Sequence, residues 1–268
     1  MKVDNKTIVL TGAGSGIGRE LTFALLEKGA RVAAVDINET ALKETRKLAG
    51  DKGKNMSLHA LSISDRSAVE ALPEQVLTAH KQVDGLINNA GIIQPFIRIN
   101  DLDYDAIKRV MDVNFYGTLY MIKAFLPHLL KRPEAHIVNV SSMGGFLPVP
   151  GQSIYGATKA AVKLLTEGLH SELAETPVRV TLVFPGAIAT NISDNSGVKS
   201  PHPAEDGKKS KFHPMPADKA AAEILKGMEK DKTRVMVGKD AKFMLKLYTT
   251  SPSFARNFIR KQMKELLD

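Results

Sequence analysis

The chain contains no cysteine among its 268 residues, which removes disulfides, thiolate nucleophiles and cysteine-built zinc sites from consideration. No apolar run reaches the length of a membrane span, and no signal-like hydrophobic core precedes the first apolar stretch. A soluble, cytoplasmic protein is therefore expected. The seven histidines form no close ligand pair, so no metal is expected. Low-complexity linkers and internal repeats are missing too. What is present is 43% hydrophobic content in a length suited to one large α/β domain, residues 1–268.

Positive charge is in excess, but unevenly. Residues 201–268 hold 15 Lys/Arg against 9 Asp/Glu, which leaves 22 against 20 for the first 200. A basic excess confined to the C-terminal quarter is read as a solubility feature, with nucleic acid not expected as a partner. The last apolar-periodic stretch, 252–267, combines Phe254, Phe258, Ile259, Met263, Leu266 and Leu267 with Arg256, Arg260, Lys261 and Lys264. Packing on the domain or on a partner subunit is the expected role for it, and in-plane contact with a membrane surface is the minority reading.

Along the chain, short β-rich runs alternate with helical periodicity. Thr7 to Leu10 ends in Thr11-Gly12-Ala13-Gly14-Ser15-Gly16-Ile17-Gly18, and an amphipathic stretch from Arg19 to Lys28 follows. Strand, glycine turn and helix together are the context in which backbone amides and a helix dipole cradle a pyrophosphate. The next strand, Arg31 to Val35, ends at Asp36, where a carboxylate accepts hydrogen bonds from adenosine ribose hydroxyls and repels a 2′-phosphate. Neither Ser15 nor Ile37 offers a compensating cation, so NAD is favoured over NADP, with Arg19 as the competing feature. Further strands are expected at 57–63, 83–87, 136–140, 178–184 and 233–237, and helices at 39–48, 66–80, 104–130, 155–174 and 217–230. This is a doubly wound, Rossmann-type parallel sheet of about seven strands in three α/β/α layers.

Tyr155 and Lys159 stand four residues apart near the start of a helical stretch, so a phenol and an ammonium share one face. Half-ionising a tyrosine near neutrality takes a drop of about three pH units, roughly 4 kcal/mol. One neighbouring cation supplies roughly one to three of those units.

In order, Thr11-Gly12-x-x-x-Gly16-x-Gly18, Asn88-Asn89-Ala90-Gly91, Asn114, Ser142, Tyr155-x-x-x-Lys159 and Pro185-Gly186-x-x-x-Thr190 resemble the motif series of the short-chain dehydrogenase/reductase family over about residues 6–240. The resemblance implies hydride transfer between nicotinamide C4 and a secondary alcohol or ketone. It assigns Tyr155 as acid/base and Lys159 to lowering the tyrosine pKa and holding the nicotinamide ribose. Ser142 is assigned to the substrate oxygen, and Asn114 to a water that links Lys159 to solvent. The cofactor set it implies is Gly12, Ser15, Gly16, Ile17, Gly18, Asp36, Ile37, Ser62, Ile63, Asn89, Ala90, Gly91, Tyr155, Lys159, Pro185, Gly186, Ile188 and Thr190. Ser62 departs from the family's usual acidic residue after the third strand.

The resemblance also implies a homodimer or homotetramer formed through helices 104–130 and 155–174, and a substrate lid over 191–215. A helical extension follows at about 239–268. The substrate itself is expected to be a lipophilic alcohol or ketone, because Ile92, Ile93, Phe96, Met143, Phe146, Leu147, Ile154, Ile192, Val198, Phe212 and Met215 are candidates for its pocket. A dinucleotide-binding redox sensor or scaffold without turnover is the alternative of a different class.

Overall fold

The computed structural model describes residues 1–198 and 214–263. Its elements run β1 (Thr7–Thr11), α1 (Gly16–Glu27), β2 (Arg31–Asp36), α2 (Glu39–Leu48), β3 (Met56–Ala60), α3 (Arg66–His80), β4 (Gly85–Asn88), α4 (Tyr104–Met111), α5 (Thr118–Leu129), β5 (Ala135–Val140), α6 (Ser153–Glu172) and β6 (Val178–Pro185). They continue as β7 (Ile188–Ala189), α7 (Ile192–Asn195), β8 (Met215–Pro216), α8 (Ala217–Glu229), β9 (Arg234–Val237), α9 (Lys239–Thr250) and α10 (Pro252–Gln262).

Seven strands form one sheet in the order β3-β2-β1-β4-β5-β6-β9, and every pairing in it is parallel. Its strands are continuous apolar runs because helices cover both faces: all five residues of β1 and all six of β5 are buried. One layer of core joins Leu21, Leu25 and Leu26 of α1 to Ile224, Leu225 and Met228 of α8. The opposite layer joins Val69, Leu72 and Val76 of α3 to Met121, Ile122 and Phe125 of α5. After β3 the chain crosses back past β1, so strand order reverses between β1 and β4. Ligands of open α/β sheets bind at the carboxyl edge of such a reversal.

Three expectations change. The helix expected over 104–130 is interrupted by a π-helical segment, Asp112–Gly117. The third strand ends at Ala60, three residues before its expected limit at 63, because the chain turns there: Asp65 N–H donates to Ser62 O at 3.0 Å. Helix α1 starts at Gly16 rather than Arg19, which puts Ile17 and Gly18 in its first turn. The C-terminal stretch forms a hairpin of α9 and α10 whose Met244 and Ala255 bury Leu147. Leu266 and Leu267 lie outside the described residues, as does Phe212 of the expected lid.

Candidate active site

The glycine loop between β1 and α1 is shaped by close approach. Gly12 takes φ +70°, and a Cβ there would sit 2.9 Å from Asn89 Nδ2 and 3.0 Å from Ala90 Cα. A Cβ on Gly18 would fall 1.8 Å from Gly12 O, so only hydrogen fits where helix meets strand. At the N-cap, Ser15 is extended and makes no side-chain cap, and no acidic residue lies in the first turn of α1. The amides of Ile17 and Gly18 therefore meet no neutralising side chain there, and an anion fits. Asp36 closes β2 beside this loop; its carboxylate accepts Gly14 N–H at 2.9 Å and Asn38 N–H at 3.0 Å. Ile37 follows with its side chain 74% exposed.

Beyond β4, Asn89 N–H and Ala90 N–H both donate to Thr11 Oγ1 at 3.0 Å, and Asn89 Nδ2 donates to Thr11 O at 3.1 Å. These bonds lock the ends of the two strands that flank the reversal. A Cβ on Gly91 would lie 3.0 Å from Lys159 Nζ and 3.2 Å from Asn114 Oδ1. A side chain at this position would press on the lysine head and on the asparagine.

Ser142 follows the carboxyl end of β5 and caps a short 3₁₀ turn, Met143–Gly145, through Gly144 N–H at 3.1 Å. That turn lies on α6: a Cβ on Gly144 would meet Tyr155 Cε1 at 3.4 Å and Ser142 Oγ at 3.6 Å, and one on Gly145 would meet Lys159 O at 2.9 Å. Ser141 Oγ donates to Lys159 O at 2.7 Å. Lys159 is 4% exposed, donates to Val140 O at 3.1 Å, and stands 5.9 Å from the centroid of the Tyr155 ring. Burial lowers its pKa to about 8.

Burial also raises the Tyr155 pKa, while a hydrogen bond with Ser142 pulls it back. The direction is opposite to the one expected from Lys159, because desolvation of the phenolate is the larger cause and the Ser142 bond the smaller.

Asn114 is fully buried in the π-helical segment. Its Oδ1 accepts Ile92 N–H at 2.9 Å, and its Nδ2 donates to Ile92 O at 2.9 Å and Thr158 Oγ1 at 3.1 Å. Its side chain therefore bridges the post-β4 loop and α6. Of the remaining residues, Pro185 ends β6, Gly186 N–H donates to Val237 O at 3.0 Å, and Ile188 pairs with Met215. Thr190 reaches the glycine loop, its Cγ2 lying 3.2 Å from where a Gly16 Cβ would be.

Two members of the expected cofactor set have partners within the fold. Ser62 Oγ is engaged with Ser64 Oγ at 2.8 Å. The Ile63 side chain packs on Gly117, where a Cβ would come within 2.7 Å of it. Phe146, a pocket candidate, stacks edge-on against Phe184 at 5.4 Å, and Leu147 is buried under the C-terminal hairpin. Four residues not anticipated as functional prove to hold the site: Thr11, Thr158, Asp240, which accepts Ala187 N–H at 2.7 Å, and Gln94. Thr11 and Thr158 lie inside recognised motifs, whereas nothing local marks Gln94 or Asp240.

The short chain dehydrogenase family model matches residues 6–200. A putative oxidoreductase, SadH, of Mycobacterium tuberculosis is 38% identical over 247 residues, covering 89% of this chain and 88% of that protein. The probable oxidoreductase EphD of Mycobacterium bovis is 34% identical over 263 residues, which is 94% of this chain and 44% of the longer relative. Among solved structures, a short-chain dehydrogenase/reductase from Burkholderia phymatum in complex with NAD superposes with TM-score 0.85 at 26% identity, covering 96% of this chain and 97% of the other. A short chain dehydrogenase from Burkholderia cenocepacia in complex with NADP gives 0.81 at 28%, covering 97% and 99%. With the matched model spanning most of the chain and the glycine loop, Tyr155 and Lys159 gathered at one sheet edge, the chain belongs to the short-chain dehydrogenase/reductase family of oxidoreductases.

Proposed function

We propose that this protein interconverts a lipophilic secondary alcohol and its ketone with NAD(H) in preference to NADP(H), Tyr155 serving as acid/base. The observation that carries the reading is the convergence of Ser142, Tyr155 and Lys159 at the carboxyl edge of β5, within reach of the glycine loop through Gly91 and Thr190. The nicotinamide supplies the hydride acceptor or donor when bound. The phenol of Tyr155 exchanges a proton with the substrate oxygen, and Ser142 Oγ hydrogen-bonds that same oxygen and the charge developing on it. Lys159 spends one N–H on Val140 O, keeping two for the ribose and the proton path. Asn114 Oδ1 retains one lone pair for a water beside that ammonium.

Preference for NAD rests on Asp36, fixed by Gly14 and Asn38. It is supported by Arg19, whose guanidinium is spent on Gly14 O at 3.0 and 2.7 Å and on Glu44 at 2.7 Å. A cation so anchored does not swing to a 2′-phosphate. A lipophilic substrate is supported by half-buried Ile92, which Asn114 holds, and by half-buried Met143 and Ile154, which adjoin Ser142 and Tyr155. The described start of the lid is tied down by Ile93 N–H to Ser196 Oγ at 3.0 Å and Asn195 Nδ2 to Ser15 Oγ at 2.8 Å. Exposed Tyr104, Tyr116 and Leu164 on α4, the π-helical segment and α6 support a homo-oligomer through that face.

The test is a panel of secondary alcohols and ketones of increasing chain length, run with each cofactor. NAD is expected to give a kcat/KM at least about tenfold above that of NADP, and comparable values overturn the argument from Asp36. Tyr155→Phe is expected to bind NADH normally by fluorescence titration while losing turnover by roughly a thousandfold or more. Substantial activity in that variant rejects Tyr155 as acid/base.

A further inference from the structure

Helix α6 begins with a missing cap. Its N-cap residue, Gln152, makes no side-chain capping bond, and its C=O first accepts an intrahelical bond from Gly156 N–H at 2.8 Å. The amides just ahead of that bond need acceptors from outside the helix. They find one in Gln94, 60 residues upstream: its Oε1 accepts Ile154 N–H at 2.8 Å and Tyr155 N–H at 3.0 Å. Gln94 Nε2 donates to Gly151 O at 3.0 Å, and Gln94 O accepts from Gln152 Nε2 at 2.8 Å. The side chain is 1% exposed, so water does not compete for these bonds. The two residues before Gln94 are held as firmly, Ile92 by Asn114 and Ile93 by Ser196. One short segment thus fixes the π-helical segment, the start of the lid and the catalytic helix relative to each other.

We propose that Gln94 is a positioning residue for Tyr155: it caps the catalytic helix at the tyrosine's own amide, and does so with a neutral acceptor. The neutral amide serves two ends. Its Nε2 is the donor that Gly151 O meets, and a carboxylate would instead set an oxygen against that carbonyl. A carboxylate otherwise suits a positive helix end, but a negative charge fixed at the Tyr155 amide would disfavour the phenolate, whose formation the reaction requires. Among the described residues, the charged group facing the phenol ring is the Lys159 ammonium, and a neutral cap leaves its field unopposed. Burial already raises the phenol pKa, and an opposing charge would add to that rise. The proposal rests on the reading of Tyr155 as acid/base.

The sequence has no tryptophan and five tyrosines, so tyrosinate absorbance in the near ultraviolet is free of indole, and subtraction of Tyr155→Phe isolates one phenol. Recorded after rapid pH jumps, the Tyr155 midpoint is expected to rise by on the order of one pH unit in Gln94→Glu. At the alkaline pH of that transition the introduced carboxyl is ionised. Gln94→Met, which keeps bulk and removes the acceptor, is expected to speed hydrogen exchange at the amides of residues 154 and 155 by roughly tenfold, with Gln94→Glu restoring slow exchange. An unmoved Tyr155 midpoint in Gln94→Glu overturns the proposal, and so does unchanged exchange in Gln94→Met. Neither readout depends on turnover, so retained activity in Tyr155→Phe strikes the acid/base reading separately.

Discussion

Lys159 is a cation with 4% exposure and one carbonyl partner, and no carboxylate is recorded in contact with it among the described residues. Its pKa falls from 10.5 to about 8 because burial penalises the charged form. The unfolded chain therefore binds more protons than the folded one between about pH 8 and 10.5, and stability rises with pH across that window. Lys159→Met is expected to remove that slope and to stabilise the protein at neutral pH by on the order of 1–3 kcal/mol, while abolishing turnover. Urea melts at pH 7 and 10 check it; a variant less stable at pH 7 contradicts the burial argument. The residue's importance was visible in the sequence as part of a spaced motif, but the cost of placing it was not. That cost comes from burial by segments distant in the chain; Gly91 and Val140, 68 and 19 positions away, meet the ammonium only in the fold.

The segment from Tyr104 to Leu129 shows what periodicity misses at the scale of an element. Apolar spacing predicts one helix, and α4 and α5 match it. The six-residue π-helical insert between them widens the winding and buries Asn114 and Gly117. Such inserts are rare and recur at functional sites. Here the insert presents Asn114 to both Ile92 and Thr158. Asn114→Ala is expected to cost about 1–3 kcal/mol, because it removes the partners of the half-buried amide and carbonyl of Ile92 and one donor to Thr158 Oγ1, which keeps its own bond to Tyr155 O. A urea midpoint within error of the parent would show that the bridge contributes nothing. The C-terminal hairpin carries a similar lesson. Its basic amphipathic pattern was legible, and its packing on Leu147 was not, since a helix's apolar face does not name its partner.

At the scale of the whole molecule, His136 reports on the sheet. It is fully buried in β5, and its Nε2 lies 2.8 Å from Thr181 Oγ1 in β6. The threonine hydroxyl has one proton and donates it to Lys232 O at 2.6 Å, so His136 donates to it through Nε2, while Asp231 Oδ1 lies 3.4 Å from Nδ1. Burial is the main cause of its pKa falling from 6.5 to about 4. Below pH 6.5 the unfolded chain takes up a proton that the folded chain refuses, so stability is lost as pH drops toward 4, by roughly 3 kcal/mol over that span. His136→Gln is expected to flatten this acid limb. Thermal midpoints followed from pH 7 to pH 4 in both proteins decide it, and parallel curves would assign the acid loss to other groups.

The amino-acid sequence alone determined the alternation of strands and helices, the glycine turn, Asp36 and the Tyr155–Lys159 spacing. These depend on local stereochemistry and on periods of two and 3.6 residues, which any short window contains. Tertiary structure alone decided that Gly91 lies against the Lys159 ammonium and that Ile63 packs on Gly117. It also decided that desolvation sets the direction of the Tyr155 pKa and that Gln94 caps the catalytic helix. Each of these is a contact or a burial between segments far apart in the chain. Their energies exist only once water has been excluded and the partners are brought within a few ångströms, so no local pattern encodes them.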